Sequence, residues 1–161
     1  MNLSVRQTLL LLAVTGLALT ASGFILEYGF GVIPCHMCWW QRYPHWAIAV
    51  LGLLGASHPR LGRPALAAIV LASLTGLGLA GWMFAAQHGW LPFPASCNSA
   101  TMPAYAAADD LLAAMSATKV VPCDKETFTL FGLSLAGWNI PAMLAIVAVS
   151  ASRLFFRPIK G

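Results

Sequence analysis

Long stretches without a single charged residue set the main limit on what this chain can fold into. Between Arg6 and Glu27 lie 20 such residues, from Tyr43 to Pro59 another 17, and from Thr127 to Ser152 a further 26. After Arg63 no charge occurs until Asp109, and the strongly apolar part of that interval runs over 64–86. A helix rises ~1.5 Å per residue and a bilayer core is ~30 Å thick, so roughly 20 residues make one crossing. Four intervals therefore predict four transmembrane helices, near 8–27, 39–57, 64–86 and 138–156. The second is the shortest and depends on its Trp39-Trp40 start sitting at the interface. The runs are continuously apolar rather than alternating, which argues against barrel strands. A helix also satisfies every backbone amide within its own segment, as lipid demands.

Composition supports this reading. The 161 residues are 59% hydrophobic and 9% charged, against about 25% charged in a soluble domain, and mean hydropathy is +0.76. So few charges cannot coat a water-facing globule, and so apolar a chain is not disordered. The formal charge is +4, but the nine Lys and Arg are dispersed, leaving no basic stripe for nucleic acid. The expected fold is all-α, a four-helix transmembrane bundle forming one integral membrane domain over 1–161. Pro64 suits the first turn of the third helix, and Ala72, Gly76 and Ala80 form a small-residue stripe read as helix packing.

Orientation follows from the basic residues. Arg6, Arg60, Arg63, Arg153, Arg157 and Lys160 fall at the two termini or in the turn between spans two and three. With four spans these places share one side, so that side and both termini are expected to be cytoplasmic. Arg42, Lys119 and Lys125 lie opposite, with all five acids, Glu27, Asp109, Asp110, Asp124 and Glu126. Trp39, Trp40, Tyr43, Trp46, Trp82, Trp90 and Trp138 cluster at the outer span ends, as interfacial aromatics do. A cleaved leader competes for the first segment, with Arg6 as its basic end and Ala21-Ser22-Gly23 as a cleavage site. The apolar run continues to Leu26, longer than a usual leader core of ~7–15 residues, so a retained span is preferred. Two outer loops are left, about 28–38 and 87–137. Within the second, 104–117 is Ala-rich with Leu111, Leu112 and Met115 at helical spacing, which suits an amphipathic helix on the membrane surface or a plain solvated one.

All four cysteines fall on the outer side, Cys35 and Cys38 in one loop, Cys97 and Cys123 in the other. Thiols confined to an oxidising face indicate disulfide chemistry. Three pairings are open, and an even division by loop favours Cys35–Cys38 with Cys97–Cys123. Cys35-His36-Met37-Cys38 opens a helix, where unpaired N–H groups and partial positive charge favour a thiolate at Cys38. Arg42 lies four residues on, on the same helical face. A guanidinium at the lip of an apolar helix needs an anionic or polar partner, and the Cys38 sulfur, or an electron-rich ligand beside it, is the expected one. Covalent haem attachment would need His where Trp39 stands. A metal site lacks a second Cys/His cluster, so none is expected. A structural Cys35–Cys38 bridge would close too small a loop to stabilise much. Cys97 and Cys123 serve either as staples of a Pro-punctuated loop or as exposed exchange cysteines. His36, His45 and His88 are read as interface or core residues before any catalytic role.

This combination of four spans, Pro34-Cys35-x-x-Cys38 with Arg42, a long second loop with Cys97 and Cys123, and Leu130-Phe131-Gly132-Leu133 leading to Trp138 resembles the disulfide bond formation protein B (DsbB) family over nearly the whole chain. Proteins of that kind are bacterial inner-membrane, multi-pass thiol:quinone oxidoreductases that keep the periplasm oxidising. The resemblance implies catalytic cysteines Cys35, Cys38, Cys97 and Cys123. It implies a soluble periplasmic, thioredoxin-like dithiol oxidase of the DsbA type as partner, and a ubiquinone or menaquinone from the membrane pool as cofactor. In that route the reduced partner attacks Cys97–Cys123 at Cys97, and freed Cys123 attacks Cys35. Cys38 then leaves as a thiolate beside the quinone, with Arg42 stabilising the charged pair. Trp138 is placed at the quinone end, with Glu27 and Tyr28 as further candidates, and a monomer is expected. Two features depart from the family. The segment 88–97 is short, which leaves the part of His88 open, and His36-Met37 is more polar than the frequent aliphatic pair. Two alternatives stand beside this reading. One is a vitamin K epoxide reductase-like quinone reductase, whose active C-x-x-C sits at a late helix. The other is a non-enzymatic membrane protein with structural disulfides.

Overall fold

A computed structural model describes residues 4–32, 34–94, 123 and 129–155. Four long helices dominate: α1 (Val5–Phe24), α2 (His36–Ser57), α3 (Gly62–Gln87) and α4 (Leu135–Phe155). Ser4 starts α1 with a capping box: its hydroxyl accepts from the Gln7 amide at 3.2 Å, and its own amide donates to the Gln7 side chain at 2.8 Å. A wider π turn, Ile25–Gly29, extends α1. A 3₁₀ turn, Pro59–Leu61, links α2 to α3. Ahead of α4 a two-stranded hairpin pairs β1 (Thr129–Leu130) with β2 (Leu133–Ser134), in register Thr129 with Ser134. Phe131 and Gly132 turn it, both at positive φ (52° and 79°), as a two-residue hairpin loop requires.

The helices pack in chain order, α1 on α2, α2 on α3 and α3 on α4, while α1 meets α3 and α4 at only a few points. Glycine allows the α1–α2 contact. A Cβ on Gly52 would stand 2.7 Å from the Leu9 carbonyl oxygen, and one on Gly16 would stand 2.8 Å from that of His45. The small-residue stripe of α3 does the packing expected of it, since Gly76 lies under Met143 of α4 and Pro44 of α2 and Ala80 is fully buried. The core at this level is aliphatic, built on Leu9, Leu12, Ile48, Leu66, Ile69 and Ile146.

Outward faces are equally apolar: Leu11, Val14, Leu17, Leu53, Leu54, Leu71 and Leu144 are all at least half exposed. Such a surface suits lipid rather than water. Among the described residues, three helical stretches are long and apolar enough to cross a membrane: Val5–Gly29, Pro59–Gln87 and Leu135–Phe155. With 22 residues α2 has the length, but Gln41, Arg42 and His45 interrupt its first half. Helix limits depart from the sequence reading by a few residues. The π turn carries the first helix past 27 and α2 begins at 36, so the connection expected over 28–38 is shorter. The expected surface helix 104–117 lies outside the described residues.

Candidate functional site

Cys35 is the N-cap of α2, and its sulfur accepts from the Cys38 amide at 3.3 Å. The helix thus starts on one cysteine and carries the second in its first turn, ahead of the apolar stretch that begins at Trp39. The two sulfurs lie 2.7 Å apart as thiols. Their environments separate them. The hydrogen bond shared with Cys38, and burial after it, push the Cys35 thiol far up. The bond from Cys35 draws the Cys38 thiol down against the opposing effect of burial. Of the two, Cys38 is thus the sulfur that gives up its proton more readily and Cys35 the one that holds it. Cys123 joins them: it is 2% exposed, packs in one cluster with Cys35, Met37, Met83 and Ala136, and hydrogen-bonds Cys35. Residues from the segment between α3 and α4 and from the start of α2 thus meet. Cys97 lies outside the described residues.

Arg42 is 7% exposed one turn below Cys38. The sequence reading expects the Cys38 sulfur, or an electron-rich ligand beside it, as its partner; in the structure its closest contact is the Glu27 carboxylate, Nη1 to Oε2 at 2.7 Å. The arginine is the weakest of the influences that draw Cys38 down. The π turn explains this partner, because a π turn displaces side chains from α-helical positions and thereby re-aims them. Here it carries Glu27, which reaches across to Arg42. Arg42 also donates to the Gly23 carbonyl at 3.4 Å, and its guanidinium lies 4.7 Å from the Phe24 ring centre and 4.4 Å from that of Trp39. Charge pairing and two aromatic faces hold the cation at the bundle edge.

Below it lies a polar chain that sequence reading missed. Gln41 Nε2 donates to Met83 Sδ at 3.1 Å, Asn139 Nδ2 donates to Gln41 Oε1 at 2.9 Å, and Asn139 Oδ1 meets His45 Nε2 at 3.0 Å. All three polar residues are buried. One clue was available in the sequence: Cys38, Gln41, Arg42 and His45 follow a three-to-four spacing, a polar stripe on an otherwise apolar helix. The partners Asn139 and Met83, 98 and 42 positions from Gln41, carried no such sign.

A largely apolar cavity of about 180 Å³ opens among these groups, lined by Leu19, Gly23 and Leu26 of the α1 end, by Cys38, Gln41, Arg42 and His45 of α2, and by Trp138 and Asn139 of α4. Trp138 is anchored by its indole N–H on the Leu130 carbonyl at 2.9 Å, so the hairpin sets one wall. Tyr28 is exposed and stacks on Phe24. His88 is exposed at the end of α3, with Nδ1 2.9 Å from the Phe84 carbonyl and its ring against Phe84 and Trp90. His36 is exposed beside Trp40. Neither histidine lines the cavity. No group of three or more metal-ligating side chains occurs among the described residues.

The profile of the family described as Disulfide bond formation protein DsbB matches residues 5–152. Proteins named Disulfide bond formation protein B are similar throughout. The one from Actinobacillus pleuropneumoniae is 30% identical over 85% of this chain and 78% of its own length. That from Aromatoleum aromaticum is 32% identical over 86% and 85%, and that from Herminiimonas arsenicoxydans 31% identical over 88% and 89%. No solved structure matches the chain.

Proposed function

The chain belongs to the DsbB family of disulfide bond formation proteins, and on that premise we propose how its residues carry the chemistry. It is a membrane oxidoreductase that generates disulfide bonds, in a family whose general electron acceptor is a quinone. Our reading is that it crosses a bacterial inner membrane four times, with α2 as the fourth crossing, both termini cytoplasmic and its thiols at the periplasmic face. Its partner is a soluble dithiol oxidase of the DsbA type.

The observation that carries this reading is the meeting of Cys123 with Cys35, directly beside Cys38 and the cavity under it. A dithiol partner attacks a Cys97–Cys123 disulfide at Cys97 and leaves with its own disulfide closed, freeing Cys123. The Cys123 thiolate attacks Cys35 of a Cys35–Cys38 disulfide, forming one S–S bond as the other breaks, and Cys38 departs as the thiolate its surroundings favour. The cavity lining fits a quinone ring, being mostly apolar with a guanidinium and amide groups for its oxygens. Cys38, Arg42 and Trp138 would hold it. Ubiquinone or menaquinone bound there supplies a two-electron, two-proton acceptor. Arg42, fixed by Glu27 and two rings, keeps positive charge where the thiolate forms, and Trp138 closes the mouth.

Mixing the purified protein with a reduced DsbA-type protein and a soluble quinone tests the reading directly. Quinone absorbance should fall by one quinone for every two partner thiols that disappear, and Cys38→Ser should stop turnover. Partner oxidation coupled to quinone loss over repeated turnovers in Cys38→Ser would exclude this route.

A further inference from the structure

His45 Nδ1 is the one buried side-chain nitrogen or oxygen among the described residues that lacks a hydrogen-bond partner. An unsatisfied buried polar atom calls for a reason, and here the neighbours supply one. A thioether sulfur has no hydrogen to give, so Gln41 must turn its amide nitrogen towards Met83. That leaves Gln41 Oε1 to accept from Asn139 Nδ2, and Asn139 Oδ1 to accept from His45. Nε2 must therefore carry the hydrogen, and in the neutral ring Nδ1 is left as a bare acceptor. Met83 thereby sets the tautomer of a histidine two partners away. The His45 ring, 7% exposed, lines the same cavity as Cys38 and Arg42.

We infer that His45 Nδ1 is the acceptor for a hydroxyl of the quinol formed in this cavity, so that the protein binds quinol more tightly than quinone at that oxygen. This rests on the cavity being the quinone site proposed above. His45 stands three residues beyond Arg42, ~4.5 Å further along the helix axis, and both line the cavity. A quinone carbonyl has no hydrogen for Nδ1, whereas a quinol hydroxyl does, so the preference follows from which partner can donate. Tighter binding of the reduced form raises the potential of the bound acceptor by linkage, and a tenfold preference amounts to about 30 mV for a two-electron couple. The polar chain thus helps draw electrons from Cys38 without touching sulfur.

Calorimetric titration of the full-length protein in nanodiscs with decylubiquinone and decylubiquinol, alongside ring-nitrogen NMR of His45, tests this. His45→Phe should cut the preference for quinol about tenfold, read as the ratio of the two affinities. Met83→Leu, which releases the direction of the chain without altering the ring, should also narrow it. In the unmodified protein, quinol should move the Nδ1 resonance and quinone should not, a readout that stands even if His45→Phe does not fold. A preference unchanged in His45→Phe, or an Nδ1 resonance indifferent to quinol, overturns the inference and leaves the cavity reading intact. Failure of both ligands to bind overturns the cavity reading and the inference with it.

Discussion

The two halves of α2 are built on opposite rules. From Ile48 to Gly55 the helix buries only aliphatic and small side chains, and glycine brings α1 to backbone contact. From Cys35 to His45 it carries thiols, a buried cation, an amide and an imidazole, with Pro44 interrupting the hydrogen-bond ladder. Each buried polar group in this upper half has a named partner except His45 Nδ1. The lower half makes the bundle. The upper half uses that rigidity to hold an ion pair and a polar chain that would not assemble alone, because unpaired groups of this kind are costly in an apolar setting. The difference teaches that damage to the two halves should be separable, one measured in stability and the other in chemistry.

The largest effect is expected from Gly52→Leu, which drives a side chain into the Leu9 carbonyl and Ala13. Melting of the purified protein should fall by about 10 °C, and unaltered melting would contradict the close α1–α2 contact. Next is Glu27→Gln, which removes the carboxylate from a buried cation and should destabilise by about 1–3 kcal/mol while the four helices persist by circular dichroism. Arg42→Met breaks the same pair and should cost a similar amount, Cys35→Ala should leave melting closer to the parent, and both act on Cys38. Both remove a group that favours its thiolate, so its titration midpoint rises and alkylation at neutral pH slows. Cys35→Ala should slow it more, since the Cys35 hydrogen bond outweighs the arginine. The reverse order would show that charge, not the S–H donor, governs Cys38. The smallest change is expected from His88→Phe, which retains the stacking on Phe84. Melting should move within ~0.5 kcal/mol equivalents and quinone turnover should hold.

Those halves also differ in how much could be read from sequence. The lower half follows from charge-free runs of span length, and among the described residues three helical stretches long and apolar enough to cross a membrane fall on such runs. The C-x-x-C at the start of α2 was legible from the same logic, since a boundary between charge-free segment and loop falls there. What pairs with what in the upper half was not. The Glu27 partner of Arg42 is brought by a local π turn, and no periodicity reports a π turn in advance. Asn139 and Met83 reach Gln41 only through the packing of α2 against α3 and α4, information that resides in the assembled bundle. The hairpin at 129–134 rests on Phe131 at positive φ, a residue type that gives no turn signal. Cys97 lies outside the described residues, so its place rests on family membership.

The central claim is that the Cys123 sulfur bonds to Cys35 and so displaces Cys38, and one measurement addresses it most directly. In a Cys38→Ser, Cys97→Ser protein only these two sulfurs remain, and mild oxidation followed by peptide mapping reports whether they join. The account predicts a near-complete Cys35–Cys123 bond within single molecules. Two thiols that both stay open to alkylation under the same oxidant would contradict it.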